Sequence, residues 1–214
     1  MKSVRAFSAV WILVTLAFLG CEQFMAAHVG NPYQRARVGD WASHLQTKEV
    51  AAMNLNTRRT VKQTVRARDE KTATILVEEE DPSSLVVDGV PQLVKSSYEV
   101  QIPLDQPFDA YADPLIGGMA DPMLPEPKYS RAASGEERVT VAGKTFACEW
   151  VETRMSLGAE AMGIEASGVN KSWMCPEIPL HGTVKSETIV NMNLGGQKMQ
   201  TRIVMELKDF GRGR

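Results

Sequence analysis

The sequence has little of what catalytic and metal-dependent proteins rely on. It holds three histidines (His28, His44 and His181) and three cysteines (Cys21, Cys148 and Cys175). No histidine stands at a zinc-type spacing from another His, Cys, Asp or Glu, so no metal ligand is assigned. There is no G-x-S-x-G elbow, no serine followed three residues later by lysine, and no C-x-x-C. Gly117-Gly118 and Gly195-Gly196 lack the spacing of a phosphate loop and read as turn glycines. With no activated nucleophile or acid–base pair in view, the chain is read as a non-enzyme without a cofactor. A formal charge of −2 and the absence of a basic stripe argue against nucleic-acid binding. Only one apolar run approaches spanning length, and it lies at the N-terminus.

That run is the first thing the chain does have. Lys2 and Arg5 precede a largely apolar stretch from Ala6 to Leu19, the layout of an export signal and short for a membrane span. Residues 1–27 are therefore assigned to a leader, which places the rest of the chain in the periplasm or at the outer envelope. Two cuts stay open. Gly20-Cys21 resembles the end of a lipoprotein signal, with Cys21 as the lipidated residue, although Phe18 and Leu19 depart from that pattern. Cleavage after Ala27 is the other, with Met25 a poor match to A-x-A. Membrane association is expected only through this leader or a lipid anchor.

From about residue 30 to 210 the pattern is that of one β-rich domain. Segments such as "KTATILVEE", "KTFACEWVETRM" and "QKMQTRIVMEL" are rich in β-branched and aromatic residues with partial alternation. Short turn signals at Asp69-Glu70, Asp88-Gly89, Ala142-Gly143 and Gly195-Gly196 join them into hairpins. The expected fold is mainly β: a strongly twisted antiparallel meander of eight or nine strands, curled into an open or half barrel. "KEVAAMNLN" is a candidate short helix. The excursion 103–129 interrupts the pattern, with six of the eleven prolines between Pro103 and Pro127. Proline removes a ladder donor, so this segment reads as a long loop laid over the sheet.

One hairpin can be registered from sequence. Folding Phe146–Met155 against Val169–Cys175 with paired numbers summing to 323 sets Cys148 opposite Cys175, Trp150 opposite Trp173 and Glu152 opposite Lys171. All three combinations are favourable across strands and fall on one face. Cys148 and Cys175 are a candidate disulfide for an oxidising compartment, with two buried thiols or a redox pair as alternatives. The same logic pairs Met192 with Met199, Lys185 with Glu206, and Val139 with Phe146. Pro176 and Pro179 terminate the cysteine strand, and His181 starts the next as a surface or hydrogen-bonded residue. Glu78-Glu79-Glu80-Asp81 reads as solvated charge.

"NPYQRARVGDWASHL" and the stretch from "GKTFACEWVETRM" through "KSWMCPEIPLHGTVKSET" to "ELKDFGRG" resemble uncharacterised exported β-rich proteins of planctomycete-like bacteria. In that set a serine-like residue is expected where Cys175 stands. The resemblance implies no activity. By architecture the chain also looks like the half-barrel of periplasmic lipoprotein carriers. The function expected is a non-catalytic carrier of an apolar ligand or lipidated partner, held on a concave face lined by Trp41, Phe146, Trp150, Trp173 and the methionines. The alternative is an envelope structural or protein-interaction module.

Overall fold

The computed structural model describes residues 31–87, 90–105, 128–159, 164–194 and 196–213. A 3₁₀ turn, Pro32–Arg35, leads into β1 (Trp41–Val50), and a second, Ala51–Met53, joins it to β2 (Leu55–Arg68). There follow β3 (Thr72–Val87), β4 (Val90–Pro103), β5 (Lys128–Val141), β6 (Lys144–Ala159), β7 (Ile164–Met174), β8 (Thr183–Leu194) and β9 (Gln197–Gly211). All nine form one antiparallel sheet in the order β4-β3-β2-β1-β9-β8-β7-β6-β5. The expected meander is thus two meanders, β1–β4 and β5–β9, welded by β1 against β9. The sheet is open: β4 and β5 are its edges, and no closure into a barrel occurs among the described residues.

Local chemistry explains the turns. Ala142 and Gly143 both take positive φ, 49° and 74°, as a two-residue hairpin turn requires. The Asp69 carboxylate accepts from the amides of Lys71 and Thr72 at 2.8 and 2.7 Å, closing β2 onto β3. "KEVAAMNLN" is not a helix. Its ends belong to β1 and β2, and only Ala51–Met53 coil, with Asn54 left-handed at φ 48°. Strand pairing on both sides outweighs the weak propensity of three residues.

The registers expected from sequence are present. Trp150 faces Trp173, Glu152 faces Lys171, Val139 faces Phe146, Met192 faces Met199 and Lys185 faces Glu206. One row runs unbroken across all nine strands: Gly135, Trp150, Trp173, Lys185, Glu206, Leu45, Thr60, Glu80, Lys95. Strand alternation puts this row on the outer face, with the neighbouring rows through Lys48 and Val50 on the other. That other, core face carries Met155, Val190, Thr201 and Val50 in one row and Thr153, Asn170, Thr188, Ile203 and Lys48 in the next, all buried. Asn170, the acceptor of a glycosylation-type triplet, is buried there and donates to Thr188 Oγ1 at 2.6 Å.

Asp40 ties the two chain ends to the sheet. It is fully buried, its Oδ2 accepts from the Arg37 amide at 3.0 Å and its Oδ1 from the Gly213 amide at 2.8 Å. Its own carbonyl accepts from Val65 N, while Gly39 N donates to Val65 O. The Arg212 guanidinium lies 3.6 Å away but is half exposed, so that ion pair adds little. Asp40→Ala removes the acceptor of two part-buried amides and should lower unfolding free energy by about 1–2 kcal/mol, measured by urea denaturation. Asp40→Asn, which keeps an acceptor, should lose less.

Cys148 and Cys175 are both free, buried thiols in this structure. The β6–β7 ladder ends at Glu149–Met174, one step short of the pair. Cys175 has already turned out of the sheet, its amide donating to Gly182 O at 2.8 Å. Burial, reinforced by Cys175 and Glu137, pushes the Cys148 thiol up to about 11. A native thiol titration at pH 8 should therefore be slow, with both sulfhydryls counted rapidly once denaturant is added. Two missing sulfhydryls in protein purified from the envelope would establish the disulfide instead.

Candidate functional site

The four aromatics expected to form a binding face share the strand parity of the outer row, although Phe146 and Trp173 are buried. Trp41 has the strand parity of Leu45, and Phe146 that of Trp150. Lysines cover the indoles. Lys171 Nζ sits 4.2 Å from the Trp150 ring centroid and 4.5 Å from that of Trp173, and Lys62 Nζ 5.4 Å from Trp41. Trp173 Nε1 donates to Glu137 Oε2 at 2.9 Å, and Lys171 pairs with the same oxygen at 3.1 Å. The Trp173 hydrogen bond, then that from Lys171, holds the Glu137 carboxyl below its ordinary range. Lys171 thus reaches Glu137 on β5, although Glu152 is the residue opposite it. The carboxylate run is paired likewise, Glu78 with Lys62, Glu79 with Arg59 and Glu80 with Lys95.

Phe146, Trp173, Met155 and Met192 are nonetheless all buried in one apolar cluster, with Trp150 packed against it. Met155 and Met192 lie on the core face, at the opposite parity to Trp150 and Trp173. Phe146 meets Phe210 edge-on at 6.2 Å. Cys21, His28 and most of the proline-rich excursion lie outside the described residues.

The concavity sits elsewhere, at the end of the core face. The β7–β8 loop, residues 175–182, folds back on itself: Ile178 N donates to Cys175 O, and Gly182 N to Pro179 O. Leu180 and Gly182 take φ of 63° and 76°, and a Cβ at Gly182 would come within 3.1 Å of Cys175 O. The loop is anchored from the far end of the chain, where Arg212 donates to the carbonyls of Pro176 and Glu177. Opposite it runs the segment 31–40. Asn31 caps the first 3₁₀ turn and donates to Pro103 O, Gln34 donates to Leu104 O, and Arg68 holds the carbonyls of Gln34 and Ala36. Between loop and segment lies a cavity of about 520 Å³. Apolar groups of Ala36, Met174, Ile178 and Leu180 wall it, and Arg35, Arg37, Arg212 and Glu149 bring charge. None of the four nominated aromatics lines it.

Beneath the loop the structure joins two histidines 137 positions apart. The His44 and His181 ring centroids are 6.4 Å apart, and Tyr33 meets His181 edge-on at 5.6 Å. His181 belongs to the loop, with β8 starting only at Thr183. His44 is buried, and its Nε2–H donates to Thr183 O at 3.0 Å. His181 Nε2 is shut off from solvent without a hydrogen-bond partner among the described residues. Burial lowers both, and the His44 neighbour adds to the effect on His181, which is pushed down to about 3. Two neutral imidazoles, one fixed by a backbone carbonyl, make packing elements of these histidines. No group of three metal-ligating side chains occurs among the described residues.

Arg35, Arg37 and Arg212 went unnoticed in the sequence because no spacing links residues 35–37 to 212. The segments that meet here are "NPYQRARVGDW", "KSWMCPEIPLHG" and "ELKDFGRG". No family model and no curated protein matches the chain. Among solved structures it is similar to a candidate exported protein with a YmcC-like fold from Bacteroides fragilis. The identity is 12%, the TM-score 0.39, and the match covers 83% of this chain and 97% of that one. It is also similar to a candidate lipoprotein from Parabacteroides distasonis, at 10% identity, TM-score 0.40, covering 82% and 96%.

The histidine pair makes stability pH-dependent. His181 titrates near 6.5 when unfolded and near 3 when folded, so the unfolded chain binds the extra proton between those values. The stabilisation is complete above about pH 6.5 and is lost as pH falls towards 3, at up to about 1.4 kcal/mol per pH unit. Urea midpoints of His181→Phe should fall less steeply over this window than those of the wild type. Parallel curves would refute the assignment.

Proposed function

We propose that the domain is an exported, non-catalytic binding or carrier protein, and that its ligand seat is the cavity between the β7–β8 loop and segment 31–40. The cavity itself carries this reading. Its volume is in the range of small-molecule sites, and its wall combines apolar groups with a few convergent polar ones. The loop is pinned by internal hydrogen bonds, a cap of strained residues and Arg212, so the seat is preformed rather than induced. A non-catalytic role is supported by His181 in its lining and His44 behind it, which are neutral and among the described residues make no hydrogen bond to a hydroxyl or carboxylate. Export rests on the leader in residues 1–27, with Cys21 as the lipid anchor if the lipoprotein cut is used.

A second reading, an envelope interaction module, is favoured by the open edges. On β4 the side chains of Leu93, Val94 and Tyr98 are exposed, and an edge strand offers unpaired backbone groups to another chain. The two readings differ in what they predict for a neutral dye. Titration of the full chain with N-phenyl-1-naphthylamine should give saturable one-site binding, weakened at least fivefold by the cavity-filling change Ala36→Leu. Thermal melts check that the variant folds. Linear, unsaturable uptake by the wild type would abandon the carrier and leave the interaction module.

A further inference from the structure

We infer that the ligand of this cavity is an anionic amphiphile, one carboxylate or phosphate head on an aliphatic tail; the inference rests on the binding role proposed above. The cavity has two chemical sides. Met174, Ile178 and Leu180 give the apolar one, suited to a methylene chain and unable to hydrogen-bond a polar ligand through their side chains. Arginine dominates the other, with Glu149 the only acidic residue in the lining among the described residues.

The three arginines are not equivalent. Arg212 is already committed, with Asp40 at 3.6 Å and the carbonyls of Pro176 and Glu177 accepting from it, so its part is to hold the loop. Arg35 and Arg37 carry no side-chain hydrogen bond or ion pair among the described residues, yet both line the cavity beside buried Ala36. They are fixed there because the backbone on either side is fastened, Tyr33 O accepting from Ala36 N and Asp40 Oδ2 from Arg37 N. Two uncommitted guanidinium forks at the rim of an apolar wall match a planar or tetrahedral oxyanion, which each can bind through paired N–H donors. A neutral lipid would leave that charge unused, and a cationic one would oppose it. Because both arginines are exposed, the head interaction alone is weak and salt-screened. Useful affinity therefore needs the tail in the apolar side at the same time.

The test is calorimetry of the full chain with decanoate, decyl phosphate, decanol, decyltrimethylammonium and inorganic phosphate, each below its micellar concentration. Decanoate and decyl phosphate should bind at least tenfold more tightly than decanol, with decyltrimethylammonium weakest. Arg35→Gln combined with Arg37→Gln should erase that tenfold preference and leave decanol binding within twofold; both positions are exposed, so the fold is retained. Raising salt should diminish the wild-type preference in the same direction. Decanol binding as tightly as decanoate would overturn the anionic head while leaving a binding protein. Inorganic phosphate binding as tightly as decyl phosphate would overturn the tail. No binding of any alkyl compound would overturn this inference and the carrier role together.

Discussion

The pairing of β1 with β9 is the constraint on which the rest of the molecule depends. Each meander is a run of local hairpins that could form by itself. Only this ladder, from Trp41–Gly211 to Val50–Thr201, makes them one sheet. Bringing together segments about 150 residues apart costs about 4–5 kcal/mol of loop entropy in the flexible-chain limit. The ladder's backbone bonds and the burial of Ala42, His44, Val50, Ile203 and Leu207 along it offset that cost. Asp40 completes the join by gathering the amides of Arg37 and Gly213 at the end of the two strands. Without the join there would be neither a continuous core face nor an end on which a cavity could form.

The two faces divide the work. On the outer face, charges pair across strands and lysines lie over the indoles, covering Trp150 and the buried Trp173. On the core face the buried polar residues Asn170, Thr188 and Lys48 lie among the apolar ones, in one row with Ile203. Met155, Leu157, Ala166, Val190 and Met192 belong to the same apolar cluster as Tyr33, Ile178 and Leu180. Burying hydroxyls and amides is tolerable where they satisfy one another, as Ser172, Asn170 and Thr188 do. The cavity lies at the end of the core face, where loop and N-terminal segment meet without filling the space between them.

The stretch "KSWMCPEIPLHG" contributes to all of this. Trp173 belongs to the outer row, Cys175 turns the chain out of the sheet, and the prolines, Leu180 and Gly182 shape a rigid loop. His181 seals it against His44. What the loop makes available is shape and an apolar wall, and segment 31–40 adds charge to that. That combination of shape, apolar wall and charge is what a binding site requires.

Much of this was legible in the residues themselves. Alternating β-branched segments and two-residue turn signals determine the strands, and the sum rule across Ala161-Met162 gave the β6–β7 register to the residue. Those features are local: a turn fixes which neighbours oppose each other, and side-chain period two then fixes which share a face. The same parity placed Trp41, Phe146, Trp150 and Trp173 together. It could not say how deeply each would be buried, because what covers them, such as Lys62 over Trp41 and Glu137 against Trp173, comes from other strands. Nor could it join β1 to β9, His44 to His181, or Arg35 and Arg37 to the wall of Ile178 and Leu180. Contacts between distant segments leave no periodic trace in a single chain, so the sheet's strands and turns were determined by the sequence alone, whereas the joining of its two meanders, its buried face and the candidate seat were decided only when the ends packed.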